Sequence, residues 1–469
     1  MRQLKKEQPI HFIGIGGAGM SGLARVLLSR GFSVTGSDMK GNFWTRKLSS
    51  MGADIFLDHK RSHLSSSCQC VVISTAIKKD NPELLEARKL GVPVWHRSEM
   101  LNLLVQDRRL FTVAGTHGKT TTSSMLTTVF ERNNLDPVVF IGAEFDEIQG
   151  NAKDGQGEYA VIEADESDGT FLNYYPFASI ITNVDRDHME FYGSYQKILD
   201  YFSRYIKQHD EKGMIILCGD DPGIDKVLEG ISNPHPSFYS YGVEDHNDFI
   251  IRHINMEHQP VTYELYHQNE YLASIPLLVP GMHNIYNSAA VFALCWLNGK
   301  LKAEDIVNSL SCFRGAQRRF QIKGEMNNIV IIDDYGHHPR EIQSTIQSAI
   351  QFNRSRGGRL FVVFQPHRFS RTQYFMEEFA AVFEGVDSLY LMDVYGAGEA
   401  SIAGVNSQVL FEKIKNNEHS PSDTVYSGNH QQTVQQVYDS FMPGDTIITI
   451  GAGDVYRVGE ELFDKLRDG

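Results

Sequence analysis

Along most of the chain, short continuous runs of apolar residues alternate with stretches in which apolar positions recur at helical spacing, and glycine-rich or charged turns separate the two. Runs of this kind predict strands buried on both faces, and the switch to a 3.6-residue period predicts the helices that cover them, so the pattern is that of repeated βα units. Strands are expected over 11–15, 32–36, 71–74 and 94–95, with helices running to about Arg30 and over 82–90, the latter ending at Gly91. A second set follows over 110–114, 159–162, 178–182 and 214–217, with helices reaching Val129 and covering 194–207. Between 249 and 276 the pattern becomes strict alternation with short turns, which predicts an antiparallel insertion before a long helix over 281–296. A third set occupies 329–332, 361–364, 388–391 and 446–450, with a helix starting near Pro339. The expected class is α/β, with parallel, doubly wound sheets in several domains.

At 469 residues the chain exceeds one core, and about 150 residues per domain suggests three domains. A net charge of -14 argues against a nucleic-acid surface, so an anionic ligand has to be met by local arginines, lysines and helix N-termini. Five cysteines without zinc-type spacing point to a reducing compartment. Lys5 and Lys6 before an apolar run look superficially like a secretory leader, but five glycines between Gly14 and Gly22 and the following strand-turn-helix pattern speak against one. No apolar run reaches the roughly 18 residues of a membrane span, and a cytoplasmic protein is expected.

The strongest chemical signal is Gly115-Thr116-His117-Gly118-Lys119-Thr120-Thr121, placed between a strand and a helix. Glycines let backbone N–H groups approach an anion, Lys119 supplies a point charge and the Thr120 hydroxyl can hold Mg²⁺, so a nucleoside triphosphate is expected here. The loop is the short G-x-x-G-K-T form, with Val113 where the longer form has its first glycine. Upstream, Gly14, Gly16 and Gly19 fit G-x-G-x-x-G, with Gly17 and Ala18 inside the motif and Asp38 after the next strand. Taken alone this suggests a dinucleotide, but any nucleotide diphosphate satisfies the same physics. Ser74 and Ala76 follow a strand, where open α/β sheets place ligands.

Further candidates cluster at strand ends. Glu163 closes one strand beside Asp165, Glu166 and Asp168, where a Mg²⁺ ligand is needed. His188 is a metal ligand, a proton handler or a structural histidine. His283 and Asn284 open the long helix, where Asn284 meets a nucleotide or simply caps the helix. Arg318 and Arg319 lie in a glycine-containing turn suited to phosphate. Asp334, Tyr335, His337 and His338 follow one strand of the third set, and His367, Arg368 and Arg371 another, so both groups belong on one sheet edge; the arginines suit a carboxylate or phosphate.

The ordered set HFIGIGGAGMSGLA, GTHGKTTT, EADESD, NVDRDHMEFYG, HNIYNSAA, FRGAQRRFQ, DDYGHHP and QPHRFSRT resembles the Mur ligases of bacterial cell-wall synthesis, and within them the branch that adds L-alanine. The resemblance implies a Rossmann-like UDP-sugar-binding domain over 1–106, a central P-loop ATPase-like domain over 107–320 and a Rossmann-like amino-acid-binding domain over 321–469. It implies that UDP-N-acetylmuramate, ATP and L-alanine are the reactants and that Mg²⁺, in two sites, is the cofactor. The UDP-sugar would meet Gly14, Gly16, Gly17, Ala18, Gly19, Met20, Ser37, Asp38, Ser74 and Ala76. ATP would meet Gly115, Thr116, His117, Gly118, Lys119, Thr120, Thr121, His283, Asn284, Arg318, Asp334 and Tyr335. Thr120, Glu163 and His188 would hold metal, and His337, Arg368 and Arg371 would face the amino acid and the acyl phosphate. The catalytic set is then Lys119, Glu163, His188, Arg368 and Arg371, in a monomer or weak homodimer whose third domain closes on hinges near Gln106 and Gln321. A recycling ligase that attaches a tripeptide to the same sugar is the near alternative. An NAD-dependent oxidoreductase, or a nucleotide-gated binding protein without catalysis, leaves part of the set without a task.

Overall fold

In the computed structural model, which describes residues 4–231, 236–354 and 356–468, the apolar runs become the strands of three sheets. The first sheet is parallel, with strands β1 (Ile10–Ile13), β2 (Val34–Ser37), β3 (Asp54–Phe56), β4 (Cys70–Ile73) and β5 (Val94–His96) in the order β3-β2-β1-β4-β5. The order reverses direction between β1 and β4, and such a switch point opens a crevice beyond the strand ends. The glycine turn leaves β1 there and starts the helix Ala18–Ser29, while residues 74–77 leave β4. Asn81 starts the helix Pro82–Leu90 by accepting from the N–H groups of Glu83 and Leu84, and Gly91, in the left-handed region, ends it.

The second sheet holds β6 (Arg109–Ala114), β7 (Val138–Phe145), β8 (Gly150–Lys153), β9 (Tyr159–Glu163), β10 (Ala178–Ile181), β11 (Met214–Cys218) and β12 (Ser237–Gly242). Strands β13 (Phe249–Asn255), β14 (Val261–His267) and β15 (Glu270–Leu277) prolong it, giving the order β15-β14-β13-β12-β11-β10-β6-β9-β7-β8. The strand leading to the phosphate loop, β6, therefore lies between β10 and β9 and is parallel to both.

The third sheet runs β16-β17-β21-β18-β19-β20, with β16 (Gln321–Met326), β17 (Ile329–Asp334), β18 (Leu360–Phe364), β19 (Ser388–Met392), β20 (Asp423–Gly428) and β21 (Thr446–Ile450). Only the β16–β17 pair in it is antiparallel. Its inner strands β17, β21, β18 and β19 read as nearly continuous apolar runs because both faces are covered. Val330, Ile332, Val362, Phe364, Ile448 and Ile450 pack with Phe379 and Phe383 on one side. The alternate residues Ile331, Phe361, Val363 and Ile447 pack with Val434, Val458 and Leu462 on the other.

By compactness the chain forms two units. One comprises Met1–Ile251, Leu265–Ala273 and Asn287–Leu310, and the other Arg252–Glu264, Ser274–Tyr286 and Ser311–Gly469. Among the described residues, no helix is long and apolar enough to cross a membrane.

Candidate active site

In the first unit the site is built from three neighbouring strand ends. The loop leaves β6 through Gly115, whose φ of 131° is open to glycine and whose substituent would come within 2.1 Å of the Thr182 hydroxyl. Gly118, at φ 84°, turns the chain into the helix Lys119–Arg132. The segment after β10 holds the loop between them. Thr116 N donates to Asn183 O at 3.1 Å, His117 N to Asn183 Oδ1 at 2.8 Å, and Thr182 Oγ1 and Asn183 Nδ2 to His117 O at 2.6 and 3.0 Å. Asp185 N donates to Thr116 Oγ1 at 2.9 Å, and the Asp185 carboxylate lies 3.4 Å from His117 Nε2. A loop held at so many points presents the N–H groups of the helix start, from Gly118 onward, to an anion with little reorganisation.

Lys119 Nζ donates to Gly115 O at 2.7 Å and Thr116 O at 3.0 Å and pairs with Glu166 Oε2 at 2.8 Å. Burial works against its charge, but Glu166, Asp165 and Glu163 outweigh it and push the ammonium up to about 12. The lysine is thus a fixed cation at the loop. Thr120 Oγ1 donates to Glu163 Oε1 at 2.9 Å, and the other carboxylate oxygen accepts from Gly142 N at 2.7 Å. A hydroxyl and a carboxylate in contact beside a phosphate loop are the hard oxygen donors that Mg²⁺ takes, so this pair fits the ion the motif implies. His188 sits at φ 51°, with Nε2 3.6 Å from Glu166 Oε1 and 3.6 Å from Asp187 Oδ2. Burial opposes its protonation, yet Glu190, Asp187 and Glu166 together raise it. The histidine belongs to the acidic cluster rather than to the core.

At the first sheet, Gly14 has φ 78°, Gly16 N donates to Asp38 Oδ2 at 2.9 Å, and Asn42 Nδ2 donates to Gly16 O at 2.9 Å. Gly17, Ala18 and Gly19 are exposed, and no side chain caps the helix they open. Two of the residues expected to meet the sugar nucleotide lie beneath the surface of the turn. Met20 is buried in the core, and Ser37 is fully buried with its hydroxyl on Glu83, so both support the turn from beneath. Ser74 and Ala76 stand at the β4 end of the crevice. Thr75 and Arg97 both reach Asp168 Oδ2, at 3.2 and 3.4 Å, tying this sheet to the acidic turn that follows β9.

In the second unit, β17 and β18 flank β21, so the two polar clusters do share one sheet edge, a single strand apart. Arg318, at φ 58°, donates to Asp333 Oδ2 at 3.0 Å and to Gly451 O at 2.6 Å, with its guanidinium over the rings of Tyr335 and Tyr456. Asp334 accepts from Phe320 N, Gly336 N and Thr345 Oγ1 at 2.8, 2.7 and 3.1 Å, which fixes the turn that carries Tyr335. His337 stands 3.4 Å from Glu341, and Arg368, at φ 69°, lies 3.5 Å from Glu399. Arg371 is buried, with Nη1 3.4 Å from Nδ1 of His367, whose ring stacks on Tyr395. Burial, then Arg371 and Arg368, push His367 down to about 4, so it is a neutral acceptor between cations. His283 is lowered by burial, against the pull of Asp334. Asn284 lies inside the helix Met282–Leu297 rather than at its cap; its Nδ2 donates to Pro280 O at 2.6 Å, and its Oδ1 is buried without a hydrogen-bond partner.

Sequence reasoning missed some of these residues as site members. Glu166 was one acid among four, and only the fold shows that Lys119 selects it. Asn183 and Asp185 carried a signal in the polar run after β10. Asn287, whose amide stands beside Gly118 with Nδ2 buried and unpartnered, lay in a motif that drew attention to Asn284. Arg97 carried no local signal.

Comparison with known proteins agrees with this arrangement. Three family models match in order: "Mur ligase family, catalytic domain" over 9–109, "Mur ligase middle domain" over 113–295 and "Mur ligase, glutamate ligase domain" over 318–453. The chain is 42% identical over 466 residues, 99% of both chains, to the UDP-N-acetylmuramate--L-alanine ligase of Pelotomaculum thermopropionicum. It is 40% identical over 464 residues, 99% of this chain and 98% of the other, to that of Carboxydothermus hydrogenoformans. Among solved structures, the UDP-N-acetylmuramate-alanine ligase of Thermotoga maritima superposes with a TM-score of 0.83 at 26% identity, covering 98% of this chain and all of the other. A murein peptide ligase of Psychrobacter arcticus shares the fold, at a TM-score of 0.69 and 22% identity, covering 98% of each chain. With this identity sustained across its whole length and three domains matched in order, the chain belongs to the Mur ligase family.

Proposed function

We propose that this chain is an ATP-dependent ligase that joins L-alanine to the lactyl carboxylate of UDP-N-acetylmuramate, forming ADP and phosphate, in peptidoglycan precursor synthesis in the cytoplasm. The observation that carries the reading is the loop at 115–121, with Lys119 held cationic and Thr120 in contact with Glu163, in a chain so similar to proteins named for this reaction. The domain division is 1–106 for the UDP-sugar, 107–320 for ATP and 321–469 for the amino acid, in a monomer or weak homodimer.

A carboxylate and an ammonium do not condense in water, so the carboxylate must first be activated. One of its oxygens attacks the γ-phosphorus of ATP, the bond to the β,γ-bridging oxygen breaks, and ADP leaves with that electron pair. Lys119 and the loop N–H groups stabilise charge on the transferring phosphoryl group. Mg²⁺, held by Thr120 and Glu163 and in a second site by His188, would neutralise phosphate charge there. The amine of L-alanine, having lost a proton, attacks the acyl carbon; the tetrahedral intermediate expels phosphate and leaves the amide. Arg368 and Arg371 would receive the acyl phosphate and the amino-acid carboxylate beside His337. His283, Asn284, Arg318 and Tyr335 would hold the nucleotide, with Asp334 fixing the turn.

The test is product identity. Purified protein given Mg²⁺, ATP, UDP-N-acetylmuramate and L-alanine is expected to release ADP and phosphate in step with amide formation. Release of AMP and pyrophosphate would overturn the route, and faster turnover with the tripeptide than with L-alanine would reassign the enzyme to recycling.

A further inference from the structure

Behind the glycine turn of the first sheet lies a buried carboxylate among three imidazoles that phosphate transfer does not use. Glu83 is the second residue of the helix Pro82–Leu90 and is fully buried. Its Oε2 accepts from Ser37 Oγ at 2.5 Å and faces His59 Nδ1 at 3.3 Å and His11 Nε2 at 3.6 Å. Its Oε1 faces His63 Nδ1 at 2.7 Å and accepts from Lys60 N at 3.4 Å. The His63 ring stacks on Phe56 and turns its other nitrogen to Asp58 Oδ1 at 3.2 Å, and His11, itself buried, is 2.9 Å from Thr35 Oγ1.

A carboxylate so far from water costs several kcal/mol unless its lone pairs are met. Here they are met, and against burial the nearby His11 ring and the hydrogen bonds of Ser37 and His63 hold the acid down at about 2. An apolar cluster of the same volume would serve packing as well. What the carboxylate adds is a directed bond to Ser37.

Ser37 is where the network meets the turn. Its carbonyl accepts from Gly14 N at 2.8 Å and Ile15 N at 3.0 Å. The next residue, Asp38, accepts from Gly16 N. Three successive N–H groups at the start of the turn are therefore set by the end of β2, and Glu83 fixes that end from below. We propose that Glu83 is a positioning residue for the diphosphate of the sugar nucleotide, acting through Ser37 to hold the 14–17 turn and the uncapped helix start in a binding geometry. This rests on reading the first sheet as the UDP-sugar site.

Steady-state kinetics on the full chain test it, with UDP-N-acetylmuramate, ATP and L-alanine varied in turn. Glu83→Ala and Ser37→Ala are each expected to raise KM for the UDP-sugar about tenfold, leaving kcat and KM for ATP within about twofold. The double variant should be no worse than either single, since both break one connection. Glu83→Gln, which keeps an acceptor for the Ser37 hydroxyl, should recover most of the loss. Variants that retain the parental KM for the UDP-sugar, raise both KM values alike or add independently would overturn the role, as would a folded Glu83→Gln protein that rescues nothing. Calorimetric titration of the parent protein with UDP-N-acetylmuramate separates the two levels. No binding sinks the site reading and this role with it, whereas parental binding with unaffected variants sinks only the role of Glu83.

Discussion

Acidification should loosen the second sheet at one histidine. His209 is buried beside β10, with Nδ1 donating to Tyr205 O at 2.9 Å and Nε2 2.6 Å from Ser179 Oγ. With Nδ1 protonated, Nε2 accepts from the Ser179 hydroxyl, which lies 2.5 Å from Thr112 Oγ1 on β6. The neutral ring is satisfied, and a second proton would place a charge where burial keeps water from solvating it. Burial, only partly offset by the backbone carbonyls, pushes the imidazole from 6.5 down to about 4. The sign follows directly. Between these values the unfolded chain binds more protons than the folded one, so the contribution is full above 6.5 and is lost as pH falls towards 4. The separation corresponds to roughly 3 kcal/mol in all, about 2 of which is gone by about pH 5. The assay compares the parent with His209→Gln, whose amide does not titrate, in denaturant unfolding monitored within the second sheet. The stability gap between the two should shrink by about 2 kcal/mol from about pH 7.5 to about pH 5. Carbon-13 NMR of labelled histidine reads the same group directly. A His209 signal titrating near 6.5, or a gap independent of pH, would refute the reasoning.

Other outcomes follow from the loop. Lys119→Ala should abolish turnover while binding of UDP-N-acetylmuramate, measured by calorimetry, stays within about twofold, because the site proposed for that ligand lies on another sheet. Gly115→Ala forces a side chain into a positive φ and onto Thr182, and kcat/KM for ATP should fall at least about a hundredfold in initial-rate assays. Glu163→Gln weakens a hard ligand, so the Mg²⁺ concentration for half-maximal rate should rise about tenfold or more, and an unchanged Mg²⁺ dependence would remove Glu163 from the metal site. His367, pushed down to about 4, should show no NMR titration between about pH 6 and about pH 8.

Strands buried on both faces were the most legible part of the chain. The run at 446–450 matches β21, and the helix over 82–90 was delimited by Pro82 and Gly91, whose chemistry is local. Some edge elements were not legible: β3, β16 and β20 carry too few buried residues for a continuous run, and the helix Ser407–Lys415 lacks an adjoining motif. The same division holds for the site. Lys119, Thr120 and Glu163 were readable because phosphate chemistry demands those residue types at strand ends. The burial of Met20 and Ser37 was not readable, since a motif does not say which way a side chain points. Glu166 and Asn287 reach the loop across long stretches of chain, Glu166 through the pairing of β6 with β9 and Asn287 from the helix Met282–Leu297.

The pairing of β6 with its neighbours bears on how the protein comes to exist. The loop at 115–118 is pinned by Thr182 and Asn183, and His117 N and Asn183 Oδ1 are 66 positions apart in the chain. Parallel strands at such separation close late, after the loop entropy of everything between them has been lost. A growing polypeptide that has emerged only as far as Thr121 holds all the residues of the motif and none of its shape. The nucleotide site should therefore be among the last parts of the second sheet to form, and no fragment ending before β10 should bind ATP.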